Sequence, residues 1–140
     1  MRDLELAKQI LKEKNLSLAI VKDGKLIFES RLQGIIGLIQ AIDNLSDGLH
    51  SSSVADKVVG RAAALLVAYS YVSEVYAATI SYEGLSVLMK YGIKAEYDNV
   101  VPKIMNRRGD DICPLEKITL VAHSPREAYE KLKEYVVTHR

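Results

Sequence analysis

The tetrapeptide Lys22-Asp23-Gly24-Lys25 constrains this chain more than any other stretch. Asp-Gly between two apolar runs is a preferred two-residue β-hairpin loop, because both loop positions need a positive φ that these residues tolerate. It predicts strands over 16–21 and 26–30, with Val21 opposite Leu26, Ile20 opposite Ile27 and Ala19 opposite Phe28. Successive pairs point to opposite faces, and both faces are apolar near the turn. A sheet apolar on both sides needs layers above and below it, so the expected fold is an α/β three-layer α/β/α sandwich with a mixed sheet.

The remaining elements follow from periodicity. Asp3 is placed to cap a helix running to about Lys14, with Leu4, Ala7, Ile10 and Leu11 inward and Asn15 as its stop. Residues 34–45 read as a helix with Ile35, Leu38, Ile39 and Ile42 buried. A polar stretch over 46–53 leads into a central helix entered at Val54 and continuing through the apolar run around Leu65 and Leu66. A strand over 71–80 follows, then a helix over 82–91 with Leu85, Leu88 and Met89 inward, stopped by Gly92. Residues 93–97 read as a short strand and 100–111 as a loop around Pro102. Cys113-Pro114-Leu115-Glu116 is able to start a short helix, while Ile118-Thr119-Leu120-Val121 fits a strand equally well. Ser124-Pro125-Arg126-Glu127 is a capping box opening the last helix, with Ala128, Leu132, Tyr135 and Val136 inward.

Bulk properties exclude several classes. Residues 1–140 suit one domain, with 49% hydrophobic and 26% charged residues. A net charge of +1 offers no electrostatic case for nucleic acid or anionic membrane. The eight tyrosines lack the basic interleaving of a nucleic-acid surface. No apolar run approaches the roughly 20 residues of a membrane span. The charged start and the single cysteine fit a cytoplasmic protein. His50, His123 and His139 share no ligand spacing, so neither a metal nor another cofactor is expected.

Ala55-Asp56-Lys57-Val58-Val59-Gly60-Arg61-Ala62-Ala63-Ala64, with Ile80-Ser81-Tyr82-Glu83 and Cys113-Pro114-Leu115-Glu116, resembles an uncharacterised prokaryotic family of domains of unknown function. The resemblance covers nearly the whole chain. It implies a cytidine-deaminase-like fold whose two central helices aim their N-termini at one cleft, and it implies no particular reaction. Zinc deaminases on that fold need a His or Cys ligand with a Glu two residues on, then Pro-Cys-x-x-Cys. No register around residues 56–62 supplies the first motif, and Ser81 and Gly84 stand where the two cysteines belong. A zinc-type deaminase is therefore excluded.

The candidate site gathers at that cleft. Lys57, read as lying in the first helical turn, faces an unfavourable macrodipole, and Arg61 one turn on adds like-charge repulsion. A bound anion would relieve both; the alternative is that Asp56 caps the helix while Lys57 and Arg61 pair with carboxylates. Ser81 is an N-cap whose hydroxyl also reaches the cleft, and Glu83 is a weaker general-base candidate. Cys113, before a proline and near Arg107 and Arg108, is a candidate nucleophile with Glu116 as its base, or an inert thiol. The leading expectation is a small anionic or nucleotide-like ligand held by Asp56, Lys57, Arg61 and Ser81, with Arg107, Cys113 and Glu116 closing the site. The rivals are a homodimeric interaction module using the apolar stretch Ile35-Ile36-Gly37-Leu38-Ile39, and an enzyme using Cys113.

Overall fold

A computed structural model describes residues 1–139. The chain runs α1 (Asp3–Glu13), β1 (Leu18–Lys22), β2 (Lys25–Ser30), α2 (Ile36–Leu45), β3 (Ser53–Val59), α3 (Arg61–Tyr69), β4 (Glu74–Ser81), α4 (Tyr82–Lys90), β5 (Lys94–Val101), α5 (Pro114–Thr119) and α6 (Pro125–Thr138). A 3₁₀ turn, Ser46–Leu49, follows α2. The five strands form one mixed sheet in the order β2-β1-β3-β4-β5. β1 is antiparallel to both neighbours, and β3, β4 and β5 are parallel.

The sheet separates two cores. Leu4, Ala7 and Leu11 of α1 pack on Ala19, Val21, Ala55 and Tyr76 on one face. The other face carries the larger core, with Leu38 and Ile42 of α2, Leu66 of α3, Leu88 of α4 and Leu132 of α6 over Ile20, Val54, Val75 and Ala77. α3 is buried on nearly all sides because it lies under its neighbours, which explains its almost wholly apolar sequence. This is the expected three-layer α/β/α sandwich.

The hairpin forms with Asp23 at φ 51° and Gly24 at φ 77°, as its loop chemistry requires. Val21 faces Leu26 as expected, but a bulge then shifts the register, so Ile20 faces Phe28 and Ala19 faces Glu29. Asp3 does not cap α1: its carboxylate accepts from the N–H groups of Asp23 and Gly24, both at 3.0 Å, and ties the helix start to the hairpin turn. On α4, Val87 takes the inward place expected of Met89, which is exposed. Residues 114–119 are helical, settling the ambiguity over Ile118 and Thr119.

The largest correction concerns residues 54–59. They form β3, the middle strand of the sheet, and the central helix begins only at Arg61. Val54, Val58 and Val59 are β-branched and stiff, which suits a strand, whereas the alanine- and leucine-rich run after Gly60 suits a helix. The apolar stretch from Ile35 to Ile39 also turns inward. Ile35, Leu38 and Ile39 are core residues, Gly37 lies against Leu18 and Ser30, and only Ile36 is exposed. That stretch is therefore spent largely on the core.

Candidate functional site

β3 and β4 end side by side, and α3 and α4 start from them, so two helix N-termini face the carboxyl end of the sheet. Such an end carries unpaired N–H groups and a positive dipole. The chain fills both. The Glu116 carboxylate, brought in by α5, accepts from the N–H of Arg61 and of Ala62, each at 2.8 Å. The Ser81 hydroxyl accepts from the N–H of Gly84 at 3.0 Å and caps α4. Both side chains are buried.

Two glycines permit this arrangement. A Cβ on Gly60 would lie 2.0 Å from Glu116 Oε1 and 2.8 Å from Ile104 Cγ1. A Cβ on Gly84 would lie 2.7 Å from the carbonyl oxygen of Val59. The bare backbone at Gly60 is thus the seat of the Glu116 carboxylate, and Gly84 lets α4 close against the end of β3. Burial pushes the Glu116 pKa up, the Ala62 and Arg61 N–H groups pull it down, the charge of Glu83 raises it, and that of Arg61 lowers it. The Arg61 guanidinium is committed to α5, its Nε donating to the Thr119 carbonyl at 3.1 Å.

Asp56 and Lys57 lie on β3 and therefore point to opposite faces of the sheet. Val54 belongs to the larger core and Ala55 to the α1 core, so Asp56 faces the multi-helix layer and Lys57 the α1 side. There Lys57 Nζ donates to Asn15 Oδ1 at 3.4 Å. The helix-dipole and like-charge arguments for Lys57 and Arg61 consequently lapse, and Asp56 caps no helix. Asp56 is instead a buried acid whose pKa is pushed up to about 7 by burial, against the pull of the Val58 and Lys57 N–H groups.

Beside the filled helix ends lies open space. Residues 104–113 form a small hairpin-like excursion: Met105 bridges Ile112, the Cys113 N–H donates to the Ile104 carbonyl, and Asn106 Oδ1 accepts from the N–H groups of Gly109 and Asp110. Its inner side borders a groove of about 580 Å³, floored by Val58, Ile104 and Leu115, with Arg107, Arg108 and Cys113 at its wall. Arg107 donates to Gln33 across the groove mouth. Arg108 has no hydrogen-bond or ion-pair partner among the described residues. Cys113 is half-buried at the start of α5.

Of the predicted residues, Arg107 and Cys113 share this groove, whereas Ser81, Glu83 and Glu116 line an adjoining crevice of only about 60 Å³. Arg61 lies in a separate crevice beside His123. Asp56 and Lys57 line neither the groove nor these crevices. Gln33, Val58 and Tyr135 were missed as groove residues; an apolar residue left half-exposed at a strand's carboxyl end, as Val58 is, is a signal visible only once β3 is placed. The residues at the helix N-termini do not fit zinc. They supply no His or Cys, the volume at Gly60 is taken by Glu116, and no three His, Cys, Asp or Glu side chains cluster as a metal site among the described residues.

The architecture defines an α/β domain of deaminase-like fold, and in its cleft the N-termini of α3 and α4 are filled by the chain's own Glu116 and Ser81. Residues 6–136 match the family described as TM1506, domain of unknown function (DUF1893), and the chain belongs to that family. A solved DUF1893 family protein (TM1506) from Thermotoga maritima superposes with a TM-score of 0.87 at 31% identity, covering 95% of this chain and 89% of that one. RibD from Acinetobacter baumannii gives 0.53 at 17% identity over 69% of this chain. A diaminohydroxyphosphoribosylaminopyrimidine deaminase/5-amino-6-(5-phosphoribosylamino)uracil reductase from T. maritima gives 0.50 at 15% identity over 84% of it. The chain spans 34% and 40% of those two proteins, and at such identities the likeness is one of fold. No curated protein matches the sequence. No helix among the described residues is long and apolar enough to cross a membrane.

Proposed function

We propose that this protein binds a small anionic or nucleotide-like ligand, without zinc, in the groove between β3, the 104–113 excursion and the start of α5. The observation that carries the reading is the unpartnered Arg108 at the wall of a 580 Å³ groove with an apolar floor. A volume of that size suits a small molecule, the floor would pack a ring, and a guanidinium is a strong partner for phosphate or carboxylate. The helix N-termini, already satisfied by Glu116 and Ser81, would not hold the anion; the ligand would sit beside them.

Calorimetric titration with AMP, CMP, ribose 5-phosphate and inorganic phosphate tests this. Arg108→Ala is expected to weaken the tightest of them at least about tenfold, the loss of one charge-assisted contact of about 1.4 kcal/mol or more. Bound ligand should also slow alkylation of Cys113 by iodoacetamide. Absence of binding by the unaltered protein at millimolar concentrations, or equal affinity in Arg108→Ala, refutes the proposal.

A further inference from the structure

The opposite end of the molecule holds a second groove, of about 510 Å³, where α2 and α3 end and α6 passes over them. Its walls are aromatic. Tyr69 and Tyr129 stack with centroids 4.8 Å apart and planes at 14°, and Tyr71 meets His50 edge-on at 5.1 Å. Between them Asp43 Oδ1 accepts from the Tyr129 hydroxyl and Asp43 Oδ2 pairs with Lys133 Nζ at 2.6 Å.

The backbone here is unusual. Tyr71 has φ 54° just past the end of α3, a position that glycine fills at least cost. Ser46, which opens the 3₁₀ turn beside the groove, and Ser51, just past that turn, also have positive φ, at 46° and 64°. Unfavourable conformations persist where surrounding structure enforces them, and they concentrate at functional sites. The Ser51 N–H donating to the Tyr71 carbonyl at 2.9 Å is one such restraint. Tyr71 is nonetheless 71% exposed, so its ring contributes little burial in return for the strain.

The electrostatics select the ligand. The C-terminal ends of α2 and α3 both point here with negative dipole ends, and Asp43 and Asp47 outnumber the single ammonium of Lys133. That balance disfavours phosphate, and the stacked tyrosines favour a flat ring. We propose that this groove is a second binding site, for an uncharged planar nitrogen heterocycle of nucleobase size, stacked against the exposed ring of Tyr71 with its polar edge towards Asp43 and Lys133.

The test is titration of the ¹⁵N-labelled full chain with adenosine, guanosine, cytidine and uridine, followed by amide shifts and calorimetry. At least one nucleoside is expected to bind, moving amides around Tyr69, Tyr71 and Tyr129 and leaving those around Arg107 and Arg108 in place. Tyr71→Gly is expected to weaken that binding at least tenfold while the melting temperature stays level or rises. The proposal is overturned if no nucleoside binds at millimolar concentration, or if the shifts centre on Arg107. Unchanged binding by Tyr71→Gly, or a melting temperature lowered by several degrees, overturns it as well.

Discussion

Glu116→Ala is the sharpest perturbation available at the filled helix end. The carboxylate accepts two backbone N–H groups at 2.8 Å and is only 9% exposed, so its removal leaves both donors without a partner in a largely dry place. An orphaned buried donor costs about 1–3 kcal/mol, and loss of a helix N-cap alone about 0.5–2 kcal/mol. Two effects lower the total. Burial pushes the Glu116 pKa up, so the carboxylate sits in a site that resists its charge, and removing it relieves that desolvation. The adjoining crevice of about 60 Å³ also has room for a water, which needs only about 10–15 Å³ of such space. The expected loss is about 2–4 kcal/mol, or roughly 4–16 °C in melting temperature at 2–4 °C per kcal/mol.

Glu116→Gln separates shape from charge. Its amide oxygen still accepts one N–H, but its NH₂ faces the second donor, so a loss of about 1–2 kcal/mol is expected. Urea denaturation followed by far-ultraviolet circular dichroism should therefore rank the proteins wild type, Gln, Ala. Hydrogen exchange at the Arg61 and Ala62 amides should accelerate in the same order. An alanine variant within about 0.5 kcal/mol of wild type, or a glutamine variant less stable than the alanine one, would show that the two bonds do not hold α3.

Two further outcomes follow from neighbouring residues. Asp56 has a folded pKa of about 7 against 3.8 unfolded, so the folded state binds the proton more tightly and stability falls as pH rises between those values. The slope is about 1.4 kcal/mol per pH unit and the full effect up to roughly 4 kcal/mol; Asp56→Asn should remove this slope between about pH 4 and 7, and parallel stability curves for the two proteins would contradict it. Gly60→Ala puts a methyl 2.0 Å from Glu116 Oε1 and should cost roughly 1–3 kcal/mol by thermal melting; a neutral effect would mean Glu116 and Ile104 withdraw freely.

What the sequence made legible depended on whether the signal was local. The Asp-Gly turn, the Ser124 cap, the Pro114 helix start and the Gly92 stop are contained within a few residues and stand as read, although the Glu127 carboxylate of the capping box accepts from the His123 N–H instead of that of Ser124. β3 was missed because a central strand buried on both faces shows no alternation, and Asp56-Lys57 resembled a polar first helical turn. The hairpin register slipped because β1 and β2 pair through a bulge between Ile20 and Val21, which the Asp-Gly turn does not specify. At the site, Glu116 was legible as a polar residue after Cys113-Pro114, but its partner, 55 residues earlier, was not. Sequence patterns report periodicity and caps; they do not report which carboxylate a fold delivers to a distant helix end.

That delivery alters what the fold can do at its cleft. A metal at the first turns of α3 and α4 would need donor side chains directed into the volume at Gly60, and there the Glu116 carboxylate already stands within 2.0 Å of where a Cβ would be. The glycine and the carboxylate are mutually dependent choices: a side chain at 60 would displace Glu116, and without Glu116 two N–H groups of α3 lose their acceptor. Introducing a histidine there would remove a cap before it created a ligand. The helix N-termini of this family member are thus filled from within the chain, and open space lies beside them, where Arg108 is unpaired among the described residues and the strand end at Val58 is left uncovered.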